Sequence, residues 1–289
     1  MERLRKMGFY LPALVLLAAL LSGLGRERAV EVFAPPGTSC RLPVIMYHSL
    51  VTSDSAADQY VCPISRVESD LAWLRDNGYT SVSLAQLVAY ADGTGTLPKK
   101  PVLLTLDDGY RNNLTLLPAL LEQYDMRVVI SVVGEYADIY TASGEDGSPH
   151  SCMSWEDLNR AAGVERIELA CHSYYFHHLT GRKGCARKDG ESLDDWRAAL
   201  TADTLAIRQA LEEQCGVIPL CYAYPFGQIT EGADQVMQQL GFRVTLSCNE
   251  QSSTLTSGNR DCLFSLGRFN RDGRLSTEAF MARAMGPSQ

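Results

Sequence analysis

The chain has 289 residues, 46% of them hydrophobic and 21% charged, with a net charge of −8 and a pI near 5.2. That length holds one large domain or two small ones, and the composition is that of a globular protein able to bury a full core. The first seven residues carry +2 and leave −10 on the rest, so the body has no basic footprint for nucleic acid and disfavours polyanionic substrates.

The basic tail Met1–Lys6 precedes a run without charge from Met7 to Gly25, 19 residues rich in Leu and Ala. A run that long spans a bilayer, and its basic flank puts the short tail in the cytoplasm and the body outside. No Ala-x-Ala site follows it, and no Cys follows Leu21-Ser22-Gly23, so residues 1–26 predict a retained membrane anchor in preference to a cleaved signal. The body is extracytoplasmic under either reading. Residues 27–41, with Pro35-Pro36-Gly37, read as a linker, and 42–289 as the folded domain. In an exported chain nine cysteines permit disulfides, with an odd one left over; Cys248 and Cys262, flanking a polar loop, are one candidate bridge, while Cys171 and Cys221 sit in apolar runs as buried thiols.

The first apolar run, 42–48 (LPVIMYH), predicts a buried strand ending in polar residues. Residues 65–77 have a helical period, with Ser65 as N-cap, Glu68 three residues on and Gly78 as the stop. A short helix at 84–90 and a loop at 93–100 lead to a strand at 102–106. Then come a helix at 112–124, a strand at 127–133, a loop at 134–152 and a helix at 155–162. A strand at 167–171 precedes a locally basic polar insertion at 180–191, read either as a solvated loop or as a contact for anionic wall polymer. A long amphipathic helix at 193–214 is followed by a strand at 219–224, a helix at 232–240, strands at 242–246 and 264–268, and a closing helix at 277–284. Strands that are nearly continuous apolar runs, alternating with helices, imply a parallel sheet covered on both faces. Seven strands and the absence of any Gly-x-Gly-x-x-Gly loop favour a closed or nearly closed α/β barrel over an open sheet.

Chemistry-bearing residues gather where strands end. Val102–Leu106 runs directly into Asp107, Asp108 and Gly109, which puts two adjacent acids at a strand's carboxyl end, pointing apart and free to take different tasks such as metal ligand and general base. His172 ends the strand at 167–171, with His177 and His178 close behind. Two histidines and a carboxylate from separate strand ends suit Zn²⁺ or a similar divalent ion and leave positions open for water and substrate. Tyr224-Pro225-Phe226-Gly227 ends a further strand in a turn able to aim a backbone N–H at a developing oxyanion while its ring walls a groove.

Taken together, TLDDG at 105–109, His172-Ser173 with His177, and YPFG at 224–227 resemble the polysaccharide deacetylase family (carbohydrate esterase family 4, the NodB-homology domain), over about residues 42–285. The resemblance implies an irregular (β/α)7 barrel and a metal-dependent removal of acetyl groups from an extracellular N-acetylglucosamine polymer, of poly-N-acetylglucosamine or peptidoglycan type. It implies Asp107 as general base, and Asp108, His172 and His177 as ligands of a divalent metal, Zn²⁺ first and Co²⁺ or Ni²⁺ as substitutes. Most members space the histidines four apart, whereas position 176 here is Phe. The five-residue spacing, Tyr47-His48 on the first strand and YPFG without a preceding Arg resemble the branch that deacetylates poly-β-1,6-N-acetylglucosamine. That likeness implies His48 as general acid, because the C-terminal Leu266-Gly267-Arg268 lacks a histidine, with Arg268 as a candidate for steering Asp107. Tyr224, Pro225, Phe226 and Gly227 would then form the substrate and oxyanion side. Two other readings remain: a hydrolase of a different acyl amide or ester on the same metal site, and an inactive cell-surface carbohydrate-binding module.

Overall fold

The computed structural model describes residues 34–144 and 150–286, and the expected anchor at 1–26 lies outside them. Among the described residues no helix is long and apolar enough to cross a membrane. The chain divides after Val32, and the unit from Phe33 to Gln289 carries the fold. Its first half runs β1 (Ser39–Leu42), β2 (Val44–Tyr47), β3 (Ser49–Val51), β4 (Val61–Pro63), α1 (Ile64–Asp76), β5 (Thr80–Ser81), α2 (Leu84–Ala91), β6 (Pro101–Leu106), α3 (Arg111–Leu116), α4 (Pro118–Gln123), β7 (Val128–Val132) and α5 (Gly134–Ser143). The second half runs α6 (Trp155–Ala162), β8 (Ile167–Cys171), α7 (Leu193–Cys215), β9 (Cys221–Ala223), α8 (Ala233–Gln239), β10 (Val244–Leu246), β11 (Ser253–Thr256), β12 (Phe269–Asn270) and α9 (Thr277–Ala284).

The main sheet has the order β10-β9-β8-β7-β6-β2-β12, all parallel, with β5 pairing β6 at its start. Alternation of side chains sorts each strand between two cores. Val102, Leu104 and Leu106 of β6 and Val128, Ile130 and Val132 of β7 join a large cluster with Trp196, Leu200 and Ile207 of α7. Leu103, Val129, Ala170, Ala223 and Val244 point the other way, into a smaller cluster shared with Leu84 and Leu87 of α2. Burial on both faces is why the strands read as nearly continuous apolar runs.

The sheet curls because one short segment touches both its ends. Leu266 bridges Leu246 of β10, and three residues later Phe269 and Asn270 pair with Ile45 and Met46 of β2. The strand expected at 264–268 is therefore displaced to β12, since Ser265 holds a left-handed φ of 54° and Gly267 backs onto Gln251, where a Cβ would come within 2.5 Å of the carbonyl oxygen.

Other expectations shift for local reasons. Gly134–Ser143 is a helix, not a loop; only Gly134 and Ala137 of it are buried, too few to show a period. The helix expected at 112–124 breaks before Pro118, which has no N–H to continue the ladder. Ser65 lies inside the first turn of α1, its hydroxyl donating to Asp54, so it is not the N-cap. Cys248 packs beside Arg268 and Cys262 beside Thr256; they are not joined, and all nine cysteines are thiols.

One polar cluster ties the closing segment to the barrel. Asp70, fully buried on α1, accepts hydrogen bonds from the Tyr47 hydroxyl (3.0 Å), Arg271 Nε (2.6 Å) and Nη2 (3.1 Å), and the Thr277 hydroxyl (2.7 Å). Every lone pair of the carboxylate has a donor, which a buried charge requires. Asp70→Ala strands a buried guanidinium, so urea denaturation should show a loss of about 3–5 kcal/mol, whereas Thr277→Val should cost about 1 kcal/mol.

Candidate active site

The site is assembled at the carboxyl ends of β2, β6 and β8 and in the turn after β9. Asp107 continues the line of β6, donating its N–H to the Tyr47 carbonyl at 3.0 Å. Asp108 and Gly109 then both take left-handed backbone, with φ of 69° and 70°. Gly109 supplies that conformation at no steric cost, and a Cβ there would press on Val132 at 3.2 Å. The double turn sends the two neighbouring carboxylates in different directions.

Asp107 turns toward Arg268, whose buried guanidinium donates from Nη1 to Asp107 Oδ1 at 2.8 Å and from Nε to the Ser247 carbonyl at 2.8 Å. Burial alone would raise the Asp107 carboxyl, but Arg268 and then His172 more than offset it and hold it below the usual range. Arg268 is pushed up in turn: burial disfavours its charge, and Asp107 outweighs the burial.

Asp108 faces two imidazoles. Its Oδ1 lies 3.1 Å from His177 Nε2 and 3.5 Å from His172 Nε2, yet it is buried without an aligned hydrogen-bond donor. His172 Nδ1 sits 2.8 Å from the Ala223 carbonyl, which can only accept, so the proton is on Nδ1 and the Nε2 lone pair faces the site. His177 Nδ1 is 2.9 Å from the Tyr136 hydroxyl, whose oxygen can accept from it in the same way, and the His177 ring lies 4.5 Å from that of Phe226.

These observations fit a divalent cation. The ligand atoms of Asp108, His172 and His177 lie within 4.8 Å of one another. The two separations from Asp108 match the roughly 3.0–3.5 Å expected of neighbouring donors each about 2.1 Å from one shared ion. Burial lowers His172 to about 4, with the site carboxylates pulling the other way, so the ring is neutral near pH 7. Asp108 is held well below the usual range, burial being outweighed by His177 and the other imidazoles. A neutral imidazole and an ionised carboxylate are the forms a cation needs.

His48 follows β2 and lines the same pocket, of about 460 Å³, with Asp107, Asp108, His172, His177 and Phe226. Its ring stands edge-on to Tyr60 at 4.9 Å, and its Nδ1 is buried without a partner. Burial lowers its pKa, against the pull of Asp108 and Asp107. The YPFG turn divides: Phe226, at φ 57°, faces the pocket, whereas Tyr224 and Pro225 are buried behind it, the Tyr224 hydroxyl donating to Asp234 at 2.8 Å. Gly227 packs on Cys248, where a Cβ would lie 2.8 Å from the Cys248 Cβ. Tyr224, Pro225 and Gly227 therefore support the wall without lining it.

Several site residues carry no sequence signal of their own. Tyr136 lies in the segment expected to be a loop. Tyr110, two residues past Asp108, is pushed up first by burial and then by that carboxylate. Tyr60, Cys248, Glu250 and Asn270 reach the pocket from loops and from β12. Of these, only Tyr110 sits beside a recognisable motif.

A sequence model described as polysaccharide deacetylase matches residues 94–245, which include both aspartates, both histidines and the YPFG turn but neither His48 nor Arg268. A poly-beta-1,6-N-acetyl-D-glucosamine N-deacetylase of Escherichia coli K12 is 27% identical over 221 residues, 68% of this chain and 32% of the relative. The chain thus spans about a third of the length of that relative. A de-N-acetylase from Aggregatibacter actinomycetemcomitans superposes with a TM-score of 0.68 at 23% identity, covering 83% of this chain and 100% of that one. IcaB from Ammonifex degensii superposes with a TM-score of 0.66 at 22% identity, covering 87% and 97%. Both share the fold.

If the hydroxyl of Tyr136 orients His177, Tyr136→Phe should weaken Co²⁺ binding about 10-fold or more, and His172→Ala should remove it. Competition against a chromogenic chelator reads both; unchanged affinity in Tyr136→Phe would show that the hydroxyl does not orient the ring.

Proposed function

This chain belongs to the polysaccharide deacetylase family, and on that premise we propose that it is a metal-dependent N-deacetylase of an extracellular N-acetylglucosamine polymer. The observation that carries the reading is the division of labour at 107–108: one carboxylate is held by an arginine, and its neighbour faces two imidazole lone pairs. Asp108, His172 and His177 would hold a divalent ion, with Zn²⁺ first and Co²⁺ or Ni²⁺ as substitutes, and such an ion would supply a Lewis acid for the acetyl carbonyl and for water.

The remaining steps fall to side chains of this chain. Asp107 is ionised, and with Oδ1 committed to Arg268 it presents Oδ2 to the pocket, 3.8 Å from His172 Nε2, where it takes the proton of the attacking water. Arg268 is its positioning residue. Within the YPFG turn the N–H groups of Gly227 and Gln228 go to the carbonyls of Tyr224 and Pro225, and neither bond uses the Phe226 N–H, which serves as the oxyanion donor. His48 lines the same pocket and gives a proton to the departing amine, which leaves poorly as an anion.

The β-1,6-linked polymer is the preferred substrate, supported by the Escherichia coli relative and by the five-residue histidine spacing. The uncharged run after the basic tail supports an extracytoplasmic body on a membrane anchor at 1–26. The linker expected at 27–41 is shorter than that, because Ser39–Arg41 already belong to β1 and pair β11, so the catalytic domain expected at 42–289 takes in residues from at least Ser39.

The test is acetate release from β-1,6- and β-1,4-linked N-acetylglucosamine oligomers and from peptidoglycan, with metal quantified before and after chelation. Metal-dependent acetate from the β-1,6 oligomers is expected. Asp107→Asn should lower turnover by about 10²–10⁴-fold with metal retained, and His48→Ala should lower kcat by at least about 10²-fold. Bound metal with no acetate from any polymer would turn the reading toward another acyl hydrolase. Neither metal nor acetate would point to an inactive surface module.

A further inference from the structure

The link that carries both histidine ligands has no regular secondary structure, yet its middle is held by hydrogen bonds to two helices. The carbonyls of Ser173 and Tyr174 accept the N–H groups of Gly134 and Glu135, in the first turn of α5, at 3.0 and 3.1 Å. The N–H groups of Tyr174 and Tyr175 both go to one side chain, Asp203, at 2.9 Å to Oδ2 and 2.6 Å to Oδ1. Asp203 lies on α7, remote in sequence, and is 5% exposed.

Two further contacts hold the link from other sides. The Tyr174 ring rests on Gly134, where a Cβ would come within 2.6 Å of it. Phe176, at the position where a four-residue spacing would put a ligand, lies under the Arg182 guanidinium at 4.8 Å. Ser173 takes φ 107°, a conformation that a non-glycine residue keeps only where its surroundings impose it. Those contacts fix side chains and the link's carbonyls, whereas Asp203 holds two consecutive N–H groups midway between the ligands.

We infer that Asp203 is the positioning residue for the His172–His177 pair: by bonding the N–H groups of Tyr174 and Tyr175 it sets the separation of the two imidazoles and so the affinity for the cation. The inference rests on the metal reading above. Its logic is that of an outer partner orienting a ligand, except that the carboxylate acts on the backbone between two ligands and touches neither ring. Asn at 203 keeps the volume but offers one acceptor oxygen and turns an N–H₂ toward the second N–H.

The experiment uses the full chain loaded with Co²⁺, reading affinity by chelator competition, the visible d–d absorption as a signature of ligand geometry, and Tm. Asp203→Asn is expected to weaken binding about 10-fold or more and to shift the d–d band. Thr204→Val, the next residue on the same helix, with a buried hydroxyl that has no partner, should leave affinity and band unchanged. Wild-type affinity and band in Asp203→Asn would overturn the inference, as would an equal loss in Thr204→Val. If Asp203→Asn does not fold, Asp203→Glu, which keeps the charge but moves it by one methylene, carries the same criteria. A wild-type chain that binds no Co²⁺ overturns the ligand set and this inference together, and is seen before any variant is made.

Discussion

The site depends on a constraint two residues long: adjacent carboxylates of like charge must be ionised together and aimed apart. Side by side in a buried pocket, one of them would otherwise keep its proton. Left-handed backbone at both Asp108 and Gly109 separates them, and each then meets its own compensation. Asp107 has the guanidinium of Arg268, whereas Asp108 faces two imidazole nitrogens that offer lone pairs, so its compensation would be a cation held by all three. Removing a buried guanidinium from such a pair is far more damaging than never having built it, because the remaining charge keeps its desolvation cost and loses its partner. Arg268 is also held by the Ser247 carbonyl, a contact that does not involve Asp107.

The barrel makes this arrangement possible through its short closing segment. Residues 266–270 bond β10 at Leu266 and β2 at Phe269, and Arg268 lies between those two attachments. Its side chain therefore enters at the junction where the sheet curls on itself, level with the ends of β2 and β6. The same segment continues into Arg271, which the buried Asp70 grips from α1 while also accepting from Tyr47. His48 follows Tyr47 directly. One polar cluster beneath the site thus anchors both the segment that brings Arg268 and the strand that brings His48.

Much of this was legible in the sequence, and for identifiable reasons. Val102–Leu106 and Ile167–Cys171 are largely buried on both faces, so their apolar runs, interrupted only by Thr105 and Glu168, marked the strands and placed Asp107, Asp108 and His172 at their ends. The helix at 134–143 was not legible, because it buries too few side chains to show a period, and Tyr136 was hidden with it. Nor was the division of YPFG, since a strand end followed by a turn does not say which residues face the core: Tyr224 is bound to Asp234 on α8, a partner that only the tertiary fold supplies. Arg268 was legible as a replacement only through the family resemblance; its partner depends on sheet closure, which strand periodicity does not encode.

The five-residue histidine spacing shows how a departure at one position is absorbed elsewhere. Inserting a residue between two ligands would ordinarily let the second swing, since a link without helix or strand has no repeating hydrogen bonds to fix its length. Here the link borrows donors from the start of α5 for its carbonyls and a carboxylate from α7 for its N–H groups. The displaced Phe176 is covered by Arg182, itself paired with Glu191 inside the polar insertion. The insertion therefore has a structural part to play, independent of any contact with polymer, because it closes over the aromatic that stands where a ligand would otherwise be. The irregular loop is thus held by its backbone from two helices and by one of its side chains from the insertion. Such a loop keeps its geometry only while all three supports, two of them distant in sequence, stay in place.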